Sequence, residues 1–146
     1  MVFFQSMKNG EGFTLIELLV VIAVIGLLAS IVLVSLLNAR AKAKDGAIMR
    51  ELGQVRTIAQ LILTQDDAYN NLCKDGTLND ADYSDLKEIE DKIKSLNGNQ
   101  DVICYASGDS YCVSSPLNLA TGFCIDARGV ASTVDTDCTA ANPVCH

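Results

Sequence analysis

Gly12, Phe13, Thr14 and Glu17 stand together in "GEGFTLIELLVV", which runs from Gly10 to Val21. Glu17 is the last charge before residues 18–37, "LLVVIAVIGLLASIVLVSLL", a run with no charged residue. A carboxylate inside a bilayer costs about 2.5–3.5 kcal/mol at the helix centre on insertion scales. At the membrane–water interface Glu17 would escape most of that cost.

The other chemistry-bearing residues lie far from this run. All six cysteines, Cys73, Cys104, Cys112, Cys124, Cys138 and Cys145, follow residue 72. An even number beyond an apolar span reads as a disulfide framework in an oxidising compartment. The pairing expected is Cys73–Cys104, tying a loop to the first strand, with Cys124–Cys138 and Cys112–Cys145 pinning the tail. Cys104–Cys112 across a hairpin is the alternative. Zinc is the competing use of thiolates, but no Cys-x-x-Cys pair exists and the single histidine is His146 at the terminus. Asp75, Asp80 and Asp82, with Asp85 and Glu88 after them, are weak calcium candidates. Asp85 stands where a calcium loop of the EF-hand type needs glycine, and the same acids suit a solvated loop and a helix start. No nucleophile elbow, phosphate loop or zinc-helix motif is present, so no enzymatic activity, cofactor or metal is expected.

These residues need elements to hold them. The run 18–37 would make roughly 30 Å of helix, the thickness of a hydrocarbon core. One long helix is expected over 13–64: apolar all round through 13–37, amphipathic after that. Ile48, Leu52, Val55, Ala59 and Ile62 recur at three- and four-residue steps, with charges on the other face. Such a stripe needs a partner, and the obvious one is the head, residues 65–146. Gly46 and Gly53 each weaken the helix by about 1 kcal/mol relative to alanine, but no proline interrupts it. In the head, "SDLKEIEDKIKSLNG" reads as a short helix capped by Ser84 or Asp82, with Gly98 past its end. "DVICYA" (101–106), "SYCVSS" (110–115) and "GFCIDA" (122–127) read as strands, the first two joined by the tight turn "SGD". Residues 128–146 read as loop. The expected fold is α+β: a long N-terminal helix packed on a small C-terminal antiparallel sheet with disulfides. The expected divisions are a leader over 1–12, the helix over 13–64 and a head over 65–146. Met7 is a second possible start.

Charge narrows the partners. Beyond Arg56 there are fourteen acids and five bases, a formal net charge of −9. A head that acidic repels nucleic acid. The average of 49% hydrophobic residues hides two different parts, one fit for lipid and one for water. A secretory signal cut near Ala39 or Ala41 is disfavoured, because the apolar run is longer than the usual 7–15 residues.

"GFTLIELLVVIAVIGLLAS" resembles the N-terminal signature of type IV pilins and type II secretion pseudopilins, with glycine, an aromatic residue, Thr14 and Glu17 leading into an apolar span. The resemblance covers residues 12–37 and does not reach the head. It implies cleavage of Gly12–Phe13 by a prepilin peptidase and N-methylation of Phe13. It implies that Glu17 neutralises the new ammonium of an adjacent subunit in a homo-oligomeric filament. It also implies an inner-membrane assembly platform as partner, membrane lipid around the helix before assembly, and a route from single-pass cytoplasmic-membrane precursor to extracellular filament. Where many relatives carry a helix-loosening proline this chain has Val34, which leaves Gly26 as the weak point. Basic residues follow the span at Arg40, Lys42 and Lys44, whereas only Lys8 precedes it. The function expected is a structural subunit of a pilus-like filament. A secretion pseudopilin and a non-polymerising anchored binding domain are the alternatives.

Overall fold

The computed structural model describes residues 12–133 and 138–145; Met7, Lys8 and His146 lie outside them. The chain divides into two compact units, Met1–Asn38 and Ala39–His146. Helix α1, Leu15–Asp66, contributes to both. It is unbroken through Gly26, Val34, Gly46 and Gly53.

In the second unit the stripe finds its partner. Ile48, Leu52, Val55, Ala59 and Ile62 are fully buried. They share one core with Leu86, Ile89 and Ile93 of helix α2 (Ser84–Leu96), and with Val102, Cys104, Tyr111, Val113 and Ile125. Strands β1 (Cys73–Lys74) and β2 (Thr77–Leu78) form a small hairpin. Strands β3 (Ile103–Ser107), β4 (Ser110–Ser115), β5 (Phe123–Asp126) and β6 (Ala131–Thr133) form an antiparallel sheet in the order β3-β4-β5-β6. Ser107 pairs with Ser110 around the two-residue turn Gly108–Asp109, where Gly108 has φ +57°. This is the tight hairpin expected of "SGD".

Several local expectations are corrected. Neither Ser84 nor Asp82 caps α2. Extended Tyr83 does, without a side-chain cap bond, its carbonyl accepting from the amides of Leu86 and Lys87. Ser84 is already the first helical residue, so it lies inside the turn it was expected to cap. Residues 128–146 are not all loop, because β6 pairs with β5. The turn between them is built on Asp126, whose carboxylate accepts from the amides of Arg128 and Val130 at 3.0 Å each.

The charges of α1 do not all face away from the core. Asp45 and Glu51 are buried. Asp45 accepts from the Asn118 amide (2.7 Å), the Asn118 side chain (2.7 Å) and the Leu119 amide (3.0 Å), so it anchors the β4–β5 loop to α1. Glu51 receives Lys92 of α2 at 2.8 Å, with Arg50 at 3.1 Å and Gln54 at 2.9 Å. Both oxygens of Asp45 and both of Glu51 accept from donors, which is the condition for burying these two carboxylates.

The disulfides are Cys73–Cys104, Cys112–Cys138 and Cys124–Cys145. The first is the one expected. The other two replace the expected Cys124–Cys138 and Cys112–Cys145, and the alternative Cys104–Cys112 does not occur. The physical reason is the anchoring of Cys145. Its amide donates to Asp126 (3.2 Å) and its carbonyl accepts from Arg128 (2.8 Å), which brings it to Cys124, two residues before Asp126 on β5. No spacing rule carries that information.

Two outcomes follow. Leu52→Ala should destabilise the head by about 2–5 kcal/mol, the usual range for emptying a packed leucine site, measured by chemical denaturation in detergent. Burial alone would raise the pKa of Asp126, but Arg128 and the amides of Cys145 and Val130 more than offset it and hold the carboxyl below its ordinary value. Lys92 and Arg50 likewise outweigh the burial of Glu51. A depressed folded pKa gives stability that is present at neutral pH and is lost as pH falls through the folded value. Thermal unfolding should therefore be nearly flat from about pH 7 to 5 and drop below about pH 4. Asp126→Asn should lower the neutral-pH midpoint and flatten the acid limb.

Candidate functional site

Gly12, Phe13 and Thr14 lie outside regular structure, immediately before α1. A Cβ added at Gly12 would meet nothing within 4 Å, so the fold does not itself demand glycine there. Phe13 is 78% exposed. The Gly12–Phe13 bond therefore sits in an accessible, irregular segment, the form a protease can bind.

Thr14 and Glu17 begin the helix together. Thr14 is its N-cap and Glu17 its third residue. The Thr14 amide donates to Glu17 Oε2 at 2.9 Å, and the Glu17 amide donates to Thr14 Oγ1 at 3.3 Å. The Thr14 hydroxyl also donates to Glu17 Oε2 at 2.7 Å. This reciprocal pattern is a capping box, and it satisfies amides that the first turn leaves without helical partners. The sequence carried the signal, a threonine followed three residues later by glutamate before an apolar run, and the reading by charge alone passed over it. In this chain the carboxylate of Glu17 thus has its partners in Thr14.

The helix that follows presents apolar surface on every side. Each leucine, isoleucine and valine from Leu15 to Leu37 is between 46% and 79% exposed. The polar groups inside this run are satisfied within it: Ser30 donates to the Leu27 carbonyl at 2.7 Å and Ser35 to that of Ile31 at 3.3 Å. A helix whose backbone and hydroxyls are internally bonded is compatible with lipid. So large an apolar surface calls for lipid or a protein partner. By length and composition the helix can cross a membrane.

Asp75, Asp80 and Asp82 do not assemble into a cation site. Asp75 (φ +54°) and Gly76 (φ +87°) are the two turn residues between β1 and β2, where positive φ is required. Asp80 lies 4.0 Å from Lys87, and Asp82 is exposed. Among the described residues, the group of three or more metal-capable side chains whose donor atoms converge is Cys112, Cys124 and Cys145, and all three are in disulfides.

The chain thus joins an apolar helix opened by a threonine–glutamate cap, long and apolar enough to cross a membrane, to a cystine-bonded α+β head. Residues 7–33 match the prokaryotic N-terminal methylation motif. The chain is 34% identical over 108 residues to the type IV wide pilus major component PilA4 of Thermus thermophilus, covering 73% of each chain. It is 46% identical over 57 residues to the fimbrial protein EcpB of Eikenella corrodens, across 39% of this chain and 36% of that one. It is 43% identical over 53 residues to the type IV major fimbrial protein FimA of Dichelobacter nodosus, across 36% and 34%. The chain spans about a third of the length of these two fimbrial proteins. No solved structure matches. The chain belongs to the type IV pilin family, a family of structural proteins.

Thr14→Ala should weaken the helix start by about 0.5–2 kcal/mol, the usual effect of losing a side-chain N-cap. Amide exchange at Leu15–Leu18, measured in micelles, should accelerate, whereas Thr14→Ser should leave it near the parent rate.

Proposed function

We propose that the chain is a structural subunit of a type IV pilus-like filament, inserted in the cytoplasmic membrane as a precursor, cut at Gly12–Phe13 and assembled through its N-terminal helix. The leader would be 1–12, the filament-core helix 13–37 within 13–64, and the exported head 65–146. The observation that carries this reading is the conjunction at one helix end. An accessible Gly12–Phe13 bond lies within the matched methylation motif, and Glu17 is the single charge on the apolar surface that follows. The partners this implies are further copies of the chain, a prepilin peptidase, an inner-membrane assembly platform and membrane lipid. No catalysis, cofactor or nucleic acid enters the reading.

Glu17 acquires its role from cleavage. Breaking the Gly12–Phe13 bond creates an ammonium at Phe13, adjacent to Thr14, at the head of an apolar helix. A buried charge left without its partner costs about 3–5 kcal/mol. Pairing the Phe13 ammonium of one subunit with Glu17 of the next would therefore penalise a mis-staggered neighbour. A pilus is favoured over a secretion pseudopilus by the pilus and fimbrial names of the relatives.

Intact mass and N-terminal sequencing of protein from sheared filaments should give a chain starting at Phe13, heavier by one methyl group. A mature pool still starting at Met1 or Met7 would sink the proposal. Gly12→Val should block cleavage and leave precursor in the membrane. Glu17→Ala should be cleaved and should abolish filaments while the head retains its fold; normal filament yield from Glu17→Ala would remove the assembly role.

A further inference from the structure

Arg40, Lys42 and Lys44 are exposed, and none of them enters an ion pair among the described residues. The other described cations are engaged, Lys74 excepted. Arg50 and Lys92 hold Glu51, Lys87 meets Asp80 and Asp91, Lys94 meets Glu90 and Asp101, and Arg128 meets Asp126. Arg56 donates to the Val130 carbonyl. The next acid in sequence, Asp45, makes no ion pair with the cluster, because its carboxylate is buried and bonded to Asn118 and Leu119. Three unpaired cations are thus concentrated in one short stretch of α1.

These cations carry a cost. Basic residues that follow a span favour the cytoplasmic side for themselves, the reverse of the orientation proposed for the head. Their position supplies a use. They lie three, five and seven residues beyond Leu37, the end of the uncharged run, on the unbroken α1. At about 1.5 Å per residue this is roughly 5–11 Å further along the helix. A headgroup layer occupies roughly the first 5–7 Å outside the hydrocarbon, and its field extends about one Debye length, roughly 8–10 Å, beyond that. Their arrangement separates lipid from a protein partner. At about 100° per residue, Arg40 and Lys44 share one side of the helix and Lys42 lies about 160° from each. A protein docking on the helix covers one side, whereas headgroups surround a single span.

We infer that Arg40, Lys42 and Lys44 form a collar that binds anionic phospholipid headgroups of the bilayer on the exported side, before the subunit is assembled. The inference rests on the membrane-precursor reading above. The group recognised is a phosphodiester anion. Arg40 offers it a planar fork of donors, and Lys42 and Lys44 offer compact charges. A phosphatidylglycerol headgroup presents that anion uncompensated; in phosphatidylcholine the lipid's own ammonium offsets it. Each cation near an anionic surface contributes about fivefold to lipid affinity.

The test is electron paramagnetic resonance of the full-length chain in phosphatidylcholine vesicles, with a trace of either spin-labelled phosphatidylglycerol or spin-labelled phosphatidylcholine. The motionally restricted fraction of each label gives the preference of the lipid shell. The parent should prefer phosphatidylglycerol by about fivefold or more at low salt. In about 1 M sodium chloride, where the Debye length is about 3 Å, the preference should approach one. The triple variant Arg40→Gln/Lys42→Gln/Lys44→Gln should be near one even at low salt, still inserted and with all three disulfides formed. Lys42→Gln alone and the pair Arg40→Gln/Lys44→Gln should each lose part of the preference, and Lys8→Gln, which lies before the span, should keep most of it. Equal restriction of both lipids by the parent, or parent-like preference in the triple variant, would overturn the inference. If the acidic head of a second copy covers the cluster instead, both lipids will be restricted equally and the triple variant will convert cross-linked oligomer to monomer, which also overturns it. A chain that does not enter the vesicles at all would overturn the membrane-precursor reading as well, so the two failures are told apart by insertion.

Discussion

A single backbone, α1, has to serve two surroundings. From Leu15 to Leu37 it offers apolar side chains on every side, and beyond Ala39 it offers a single buried stripe to the head. An α-helix can do both because its backbone hydrogen bonds close within the segment, whatever surrounds it. The rest of the head is organised around the stripe. α2 and the sheet supply the apolar surface that covers Ile48, Leu52, Val55, Ala59 and Ile62, and the disulfides bind the short strands of a small domain whose core alone is modest.

The buried carboxylates divide the labour of holding that head together. Asp45 ties the β4–β5 loop to α1, Glu51 ties α2 to α1, and Asp126 shapes the β5–β6 turn while fixing Cys145. In each case an acid has been taken out of water and surrounded by donors from elsewhere in the chain. Removing one partner leaves a buried charge short of its hydrogen bonds, so these contacts make the arrangement specific as well as stable.

Periodicity carried much of this. The α1 stripe, α2 and strands β3 to β5 were legible because each pattern repeats locally, with a period near 3.6 or 2. The features that escaped depend on partners far along the chain or on too few residues. Asp45 and Glu51 looked solvent-facing because Asn118 and Lys92, their partners, are remote in sequence. Strand β6 has three residues, two of them exposed, and shows no burial pattern to read. The β1–β2 hairpin lies in a stretch whose composition reads as turn-rich, but its two-residue strands are too short to show a pattern. For the N-terminal site, Gly12, Phe13 and Glu17 could be picked out by residue type and resemblance, but the hydrogen bonds that give Glu17 its present environment come from Thr14.

That environment sets the terms on which Glu17 can be recruited. Its Oε2 already receives two donations from Thr14. In the proposed assembly an incoming ammonium would therefore not find a bare anion. It either adds to the Thr14 contacts or displaces them, and its net attraction is the difference between the new ion pair and the local bonds given up. In the assembly we propose, the capping box would be a resident competitor, whose two bonds to Oε2 an arriving ammonium must match or exceed.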